Sequence, residues 1–226
     1  CYLYGCDGKW IMIDLGLSFA DEKFPGVDLL LPKIDHIESL QDNLEAIIIS
    51  HGHEDHAGAV AFLASKIKCP VYATKFAMLL IENRLKEFNK VEGFSLNEID
   101  LNKKLSLNNF TLDFIPTTHS IPEPSAIIIS TNYGSLLHTA DWKIDYSPTL
   151  GDSFSKKKFE DIGSNGLLAL IGDSTNANVP GSSKSENDVK EELKNVFSRF
   201  SNRIVVTCFS SNIARMKNII YAAKKN

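Results

Sequence analysis

Apolar positions along this chain come in short runs of four to eight residues, and the runs change period from one stretch to the next. Tyr2-Leu3-Tyr4-Gly5-Cys6 and Lys9-Trp10-Ile11-Met12-Ile13-Asp14 flank Asp7-Gly8, a turn pair that predicts a hairpin. Residues 18–44 are loop-rich, with Pro25-Gly26 and Pro32. Glu45-Ala46-Ile47-Ile48-Ile49-Ser50 then reads as a buried strand. Ala57 to Ala64 has helical composition, Pro70 to Ala73 reads as a strand, and Lys75 to Leu85 as an amphipathic helix with Phe76 and Met78 in the core. Beyond residue 100 the pattern turns to β. Leu105-Ser106-Leu107 and Phe110 to Ile115 alternate around Asn108-Asn109, Ser125 to Thr131 and Ser135 to Thr139 flank Asn132-Tyr133-Gly134, and Leu167 to Gly172 forms a further apolar strand. After Gly181-Ser182-Ser183 come a charged helix, a strand at Arg203 to Thr207 and a helix at Ile213 to Tyr221.

Candidate chemistry sits at the strand ends. The buried strand runs straight into His51-Gly52-His53-Glu54-Asp55-His56, a loop before a helix that holds half of the chain's six histidines. In extended backbone alternate side chains point the same way, so His51 and His53 can close on one ion. The turn into the helix re-aims Asp55 and His56 toward a neighbouring position. Four nitrogen and oxygen ligands within six residues suit zinc or manganese; the alternative is a solvated polar loop. Three other strands end in potential ligands, at His119, Asp141 and Asp173. Gathered on one sheet edge with the hexapeptide, His119 completes a three-histidine set and Asp141 can lie between two ions. Asp14 either fixes a ligand histidine or ends its strand in a plain turn. His138, three residues before Asp141, is expected to be a buried structural histidine.

Composition narrows the classes. A chain of 226 residues can bury a sizeable core. It begins at Cys1 and enters strand-like sequence at once, so a preceding segment is expected. Neither a signal peptide nor an apolar run of the roughly 20 residues that span a bilayer is visible. Cys1, Cys6, Cys69 and Cys208 have no paired spacing, so free thiols and a cytoplasmic setting are expected. The net charge of -4 gives no global attraction to nucleic acid, so a polyanionic substrate needs metals and a local groove. Lys156-Lys157-Lys158 reads as a solvated run, with RNA contact as the alternative.

The motif His-x-His-x-Asp-His with a later His and Asp resembles the metallo-β-lactamase superfamily, and further stretches resemble its β-CASP nucleases of the ribonuclease J type. These stretches are Gly26-Val27-Asp28 through Pro32, Ser50 to Ala59, Thr117 to Glu123, His138 to Lys143, Gly172-Asp173-Ser174-Thr175-Asn176-Ala177 with Pro180-Gly181, and Phe209 to Arg215. Ala140 departs from the family's usual glycine. The resemblance implies an α/β fold: part of a metallo-β-lactamase αββα sandwich over 1–182, with the beginning of an inserted β-CASP domain over 183–226. It implies two zinc ions, with manganese as the alternative, held by His51, His53, Asp55, His56, His119 and Asp141. Asp55 and Asp173 would carry catalytic roles, Asp173 either behind the ligands as a supporting carboxylate or in proton handling. Ser210, Ser211, Asn212 and Arg215 would contact backbone phosphate, or else cap a helix and face solvent. A further ligand histidine and a 5′-phosphate pocket would lie beyond Asn226, leaving this chain alone weak or inactive.

The function so implied is a metal-dependent ribonuclease with RNA as partner, trimming from the 5′ end, with internal cutting left open, and with no membrane role. Self-association is left open. A small-molecule metallohydrolase for thioesters, lactones or β-lactams is the alternative, against which the Asp173-Ser174-Thr175-Asn176-Ala177 and Ser210 to Arg215 stretches speak. A di-iron redox protein on the same scaffold would carry a carboxylate where His53 stands.

Overall fold

The structure, a computed structural model, describes residues 1–63, 66–88 and 94–226. β1 (Tyr2–Cys6) and β2 (Lys9–Ile13) form the expected hairpin, with Asp7 and Gly8 at φ 48° and 77°, the positive values a two-residue turn requires. β3 (Ser18–Phe19) and β4 (Leu29–Leu30) make a small ribbon in the loop-rich stretch, and α1 (Asp35–Ser39) leads into the buried β5 (Leu44–Ile49). The helical run that follows is split into α2 (Glu54–Ala57) and α3 (Val60–Leu63), and Ala64 lies outside the described residues. β6 (Val71–Ala73), α4 (Lys75–Glu87) and β7 (Leu96–Glu98) complete the first half.

The second half is mostly strand: β8 (Leu105–Ser106), β9 (Thr111–Pro116), β10 (Ser125–Thr131) and β11 (Gly134–His138). The unanticipated α5 (Lys156–Ser164) precedes β12 (Ala169–Ile171). Its opening lysines are exposed and pair along the helix, Lys156 with Glu160 at 3.1 Å and Lys157 with Asp161 at 2.9 Å, as a solvated run should. α6 (Glu186–Phe197) and α7 (Ile213–Lys225) close the chain as a packed helix pair. The strand expected at Arg203 to Thr207 does not form. These residues are irregular and Val205 is 88% exposed, because no described segment offers them a ladder.

Two five-stranded sheets lie face to face, ordered β1-β2-β5-β6-β7 and β12-β11-β10-β9-β8. Between them pack Ile11, Ile13, Ala46 and Ile48 from one side and Leu112, Phe114, Ile127 and Ile129 from the other. The opposite face of the first sheet is covered by α2, α3 and α4 through Ala57, Val60, Ala77 and Ile81 against Met12, Ile47 and Ile49. This helix–sheet–sheet core is the expected partial sandwich. On the second sheet the edge strand β12 leaves Leu170 65% exposed, beside Leu168 at 67%.

Strand direction gathers the candidate residues. β2, β5 and β6 are parallel neighbours, so Asp14, Ser50 and Thr74 leave the first sheet at one edge. β11 and β12 are parallel, and β9 runs the same way as β11 with β10 between, so His119, Asp141 and Asp173 follow strands ending together on the second sheet.

The segment after β2 is stitched to the hexapeptide helix. Leu15 N–H donates to His56 O at 2.7 Å, Leu17 N–H to Glu54 O at 2.9 Å, and Ala59 N–H to Leu15 O at 3.0 Å. Between them Gly16 passes so close to α2 that a Cβ there would stand 1.6 Å from Asp55 O. Gly16→Ala must therefore push the two segments apart. The expected cost is about 3 kcal/mol or more of stability, together with loss of bound metal, read from a thermal melt and elemental analysis of the purified variant.

Candidate metal centre

His51 is fully buried at the end of β5 and His53 follows in extended backbone (φ -69°, ψ 154°), which turns both rings toward one point. His51 Nε2 stands 3.0 Å from His53 Nδ1, and His119 Nε2 stands 3.1 Å from that same atom. A second group overlaps the first: one ligand atom each from His51, His56 and Asp141 lie within 4.8 Å of one another. Asp141 faces both groups, with Oδ1 3.3 Å from His56 Nε2 and Oδ2 3.8 Å from His119 Nε2.

The far side of each ring is held. His56 Nδ1–H donates to Asp14 Oδ2 at 2.7 Å. With His51 Nε2 turned into the cluster, its Nδ1–H donates to Ser50 Oγ at 3.0 Å, and Ser50 O–H donates in turn to Asp14 Oδ2 at 2.9 Å. Asp14 Oδ1 also accepts from Ser50 N–H at 2.8 Å. One buried carboxylate thus orients a histidine in each group, the contact expected of an Asp14 that fixes candidate ligand rings. It sits at φ 62°, a left-handed conformation that Asp tolerates better than most residues. Ser120 Oγ, 3.2 Å from His53 Nε2, plays the same part for that ring. Ser50 and Ser120 went unrecognised in the sequence. The only signal was their position beside a predicted ligand, which in serine is too common to single out.

Electrostatics separate the two groups. Burial, reinforced by neighbouring imidazoles, holds His51 well below the ordinary histidine value. Burial also lowers His53, and it carries His119 down to about 4. These three rings are neutral at pH 7, and in the tautomers that leave the His51 Nδ1–H on Ser50 and the His53 Nε2–H on Ser120 their lone pairs converge on one point. Such an arrangement repels unless a cation lies between the nitrogens, and a three-nitrogen set suits a borderline divalent ion. The donor set therefore fits a metal. For His56 burial again pulls downward, but hydrogen bonds to Asp14 and Asp141 outweigh it and raise the ring to about 10. The bond from His56 lowers Asp141 in return.

Other expected residues lie around this centre. Asp55 is two-thirds exposed, with Oδ2 3.7 Å from His56 Nε2. Asp173 accepts from Thr175 N–H at 2.9 Å and lines a cavity of about 170 Å³ with His56, His138 and Asp141. His138 is buried as expected; its Nδ1 lies 2.9 Å from Tyr4 Oη, and its Nε2 has no partner among the described residues. Ala140 adopts φ 50°, a strained value for a side chain with a Cβ, and still delivers Asp141 to the cluster.

The turn before α7 divides. Ser210 and Ser211 line a cleft with His53 and Asp55. Asn212 instead caps α7, accepting from Arg215 N–H at 2.8 Å, and the Arg215 guanidinium pairs with Glu186 at 3.1 Å. Phe76, expected in the core, is half-buried and lines the cleft.

Comparison with known proteins agrees with this geometry. A family model described as the metallo-beta-lactamase superfamily matches residues 1–188. The chain is similar to ribonuclease J of Sinorhizobium meliloti, 40% identical over 230 residues that cover 99% of this chain and 40% of that protein. It is likewise similar to ribonuclease J of Thermus thermophilus, at 38% identity over 221 residues, 95% of this chain and 39% of that one. The chain thus spans about 40% of the length of the curated relatives it matches. A solved structure of a protein of unknown function from Enterococcus faecalis V583 shares the fold, with TM-score 0.63 at 16% identity over 96% of this chain and 59% of that one.

Proposed function

The chain belongs to the metallo-β-lactamase superfamily, and from that premise we propose that it is the metal-holding part of a ribonuclease of the ribonuclease J type, hydrolysing RNA phosphodiesters from the 5′ end. The observation that carries the reading is the pair of overlapping ligand groups, His51/His53/His119 and His51/His56/Asp141, in a chain similar to ribonuclease J over nearly its whole length.

The first group would hold one divalent ion. His56 and Asp141, with Asp55 beside them, would hold a second. The nitrogen-rich donor set favours zinc, with manganese next. A divalent ion in such a site polarises a phosphoryl oxygen and brings the pKa of a water near 7. The chain's own residues set the stage for this. Ser50, Ser120 and Asp14 lock the ligand rings, Asp141 Oδ1 and Oδ2 face the two groups, and Asp173, which lines the cavity beside His56, would carry a proton away. Residues 1–182 form the metallo-β-lactamase unit in this reading, and 183–226 open an inserted α/β unit. The exposed strand β12 and the unladdered 203–207 stretch support coverage by further polypeptide in the whole protein. RNA is the proposed partner. Among the described residues no helix is long and apolar enough to cross a membrane. The four free cysteines fit a cytoplasmic location.

A small-molecule metallohydrolase would share the hexapeptide, but similarity to ribonuclease J extends through the Ser210 to Arg215 stretch. The test is hydrolysis by the whole natural protein loaded with zinc or manganese. It should degrade 5′-monophosphorylated RNA and lose that activity to a chelator. Intact RNA alongside chelator-sensitive cleavage of a thioester or lactone would assign the alternative.

A further inference from the structure

The metal centre is braced from two directions. Asp14 and Ser50 hold His51 and His56 from the first sheet. His119 and Asp141 stand on two loops that leave the second sheet, and these loops are tied together just behind the ligands. Lys143 N–H donates to Thr118 O at 2.7 Å, and the Thr118 hydroxyl donates to Lys143 O. Thr118 directly precedes His119 and Lys143 follows Asp141 by two residues, so a shift of either loop moves both ligands.

The anchor of this double loop is charged and buried. The Lys143 ammonium lies 3.5 Å from Glu186 Oε1 and 3.7 Å from Asp145 Oδ2, and Asp145 is almost fully buried. Glu186, at the start of α6, exposes 10% of its side chain. Its Oε1 also accepts from the Arg215 guanidinium at 3.1 Å, and its Oε2 accepts from Asn218 Nδ2–H at 3.2 Å, both partners lying on α7. Its own N–H donates to Asp145 Oδ2 at 2.9 Å. Two carboxylates thus face two cations, and removing one buried partner leaves the remaining charges uncompensated. A second link runs alongside. Ala214 N–H, in the first turn of α7, donates to Ser120 O at 3.0 Å, and Ser120 Oγ stands 3.2 Å from His53 Nε2.

The helix itself does not need this carboxylate. α6 is already capped: Ser185 Oγ accepts from Asn187 N–H at 3.2 Å, and Asp188 accepts from Ser185 N–H at 3.2 Å. A glutamate in the first turn would serve the helix dipole equally well facing water. Turned inward, one of its oxygens bridges a cation beside Asp141 and a cation on the last helix. We propose that Glu186 is a positioning residue for the metal centre, holding through Lys143 the paired loops that carry His119 and Asp141. The proposal rests on the metal-centre part of the function above and is independent of RNA. It makes the α6–α7 pair a brace for the ligands, so that displacing the pair loosens the first ion.

The experiment uses the whole natural protein, stripped of metal, as wild type, Glu186→Gln, Lys143→Met, the double variant and Phe197→Ala. Glu186→Gln keeps the shape of the side chain and removes its charge. Phe197 is a buried ring at the far end of α6, about 16 Å along the helix from Glu186, and its loss weakens the packing without touching the ionic network. Titration with cobalt(II) reads the donor geometry from its visible absorption bands, and zinc competition with a chromophoric chelator reads the affinity of the first ion. Glu186→Gln should weaken that ion at least about fivefold, toward the lower end of the roughly 10–100-fold that follows loss of a direct outer partner, and should alter the cobalt bands. Lys143→Met should do the same, and the double variant should bind no more weakly than the weaker single, which is the coupling that action through Lys143 requires. Phe197→Ala should lower the melting temperature yet keep wild-type affinity and cobalt bands. Wild-type metal binding in Glu186→Gln, losses that multiply in the double variant, or an equal loss in Phe197→Ala would each overturn the proposal while the metal centre stands. A wild type that takes up no cobalt would overturn both.

Discussion

Replacing His119 with alanine is expected to abolish tight divalent-metal binding, while replacing His138 with alanine leaves the metal in place. Both histidines follow or end a strand of the second sheet, and both rings are largely buried with lowered pKa. Only His119 aims a nitrogen at the cluster, 3.1 Å from His53 Nδ1. His138 turns the other way, its Nδ1 at Tyr4 Oη and its ring edge-on to Tyr2 at 4.8 Å between centroids. Removing His119 takes one of three convergent nitrogens, a larger loss than the about 10–100-fold in affinity that follows when only an outer hydrogen-bond partner is removed. Removing His138 creates a cavity and frees Tyr4, at a cost of about 1–3 kcal/mol in stability. Elemental analysis with a thermal melt separates the two. Metal lost from the His138 variant and retained by the His119 variant would reverse the assignment.

Asp14→Ala should weaken both ligand groups at once, although Asp14 touches no ion. It holds His56 directly and His51 through Ser50, so its loss frees one ring in each group. The expected fall in metal affinity is about 10–100-fold. Stability should fall by about 1–3 kcal/mol as well, since Ser50 N–H, almost fully buried, loses its acceptor. Asp14→Asn keeps an oxygen for Ser50 N–H and should recover most of the stability, but its neutral amide no longer favours the His56 imidazolium. Competition with a chromophoric chelator reads the affinity. Equal affinity in wild type and Asp14→Ala would show that packing alone orients the rings.

The clustering of the hexapeptide's histidines was legible because its candidate donors are contiguous and follow an unmistakable buried strand. His119 and Asp141 were legible because predicted strands end at them, and strand ends on one edge can converge. The Asp14–Ser50–His51 relay was not. It joins residues 36 apart through the parallel pairing of β2 with β5, a neighbour relation that periodicity does not encode. Asn212 and Arg215 were readable either as phosphate contacts or as a helix cap and a surface residue, and the sequence could not choose between them. Arg215's ion-pair partner in the structure, Glu186, lies a helix away and becomes its neighbour only when α6 packs on α7. The run at 203–207 has strand composition, yet composition supplies no neighbouring strand, and without one the backbone stays irregular.

Zinc titration of the 226-residue chain by calorimetry, repeated in buffers of different ionisation enthalpy at pH 7, tests the central claim most directly. His51, His53 and His119 are already neutral there, so the first ion should bind tightly and displace almost no protons. His56, raised to about 10, carries a proton that a second ion must expel, and the second group shares His51 with the first. A second ion should therefore bind at least about tenfold more weakly and release about one proton. Two ions of equal affinity with no proton release, or no tight ion at all, would contradict the account.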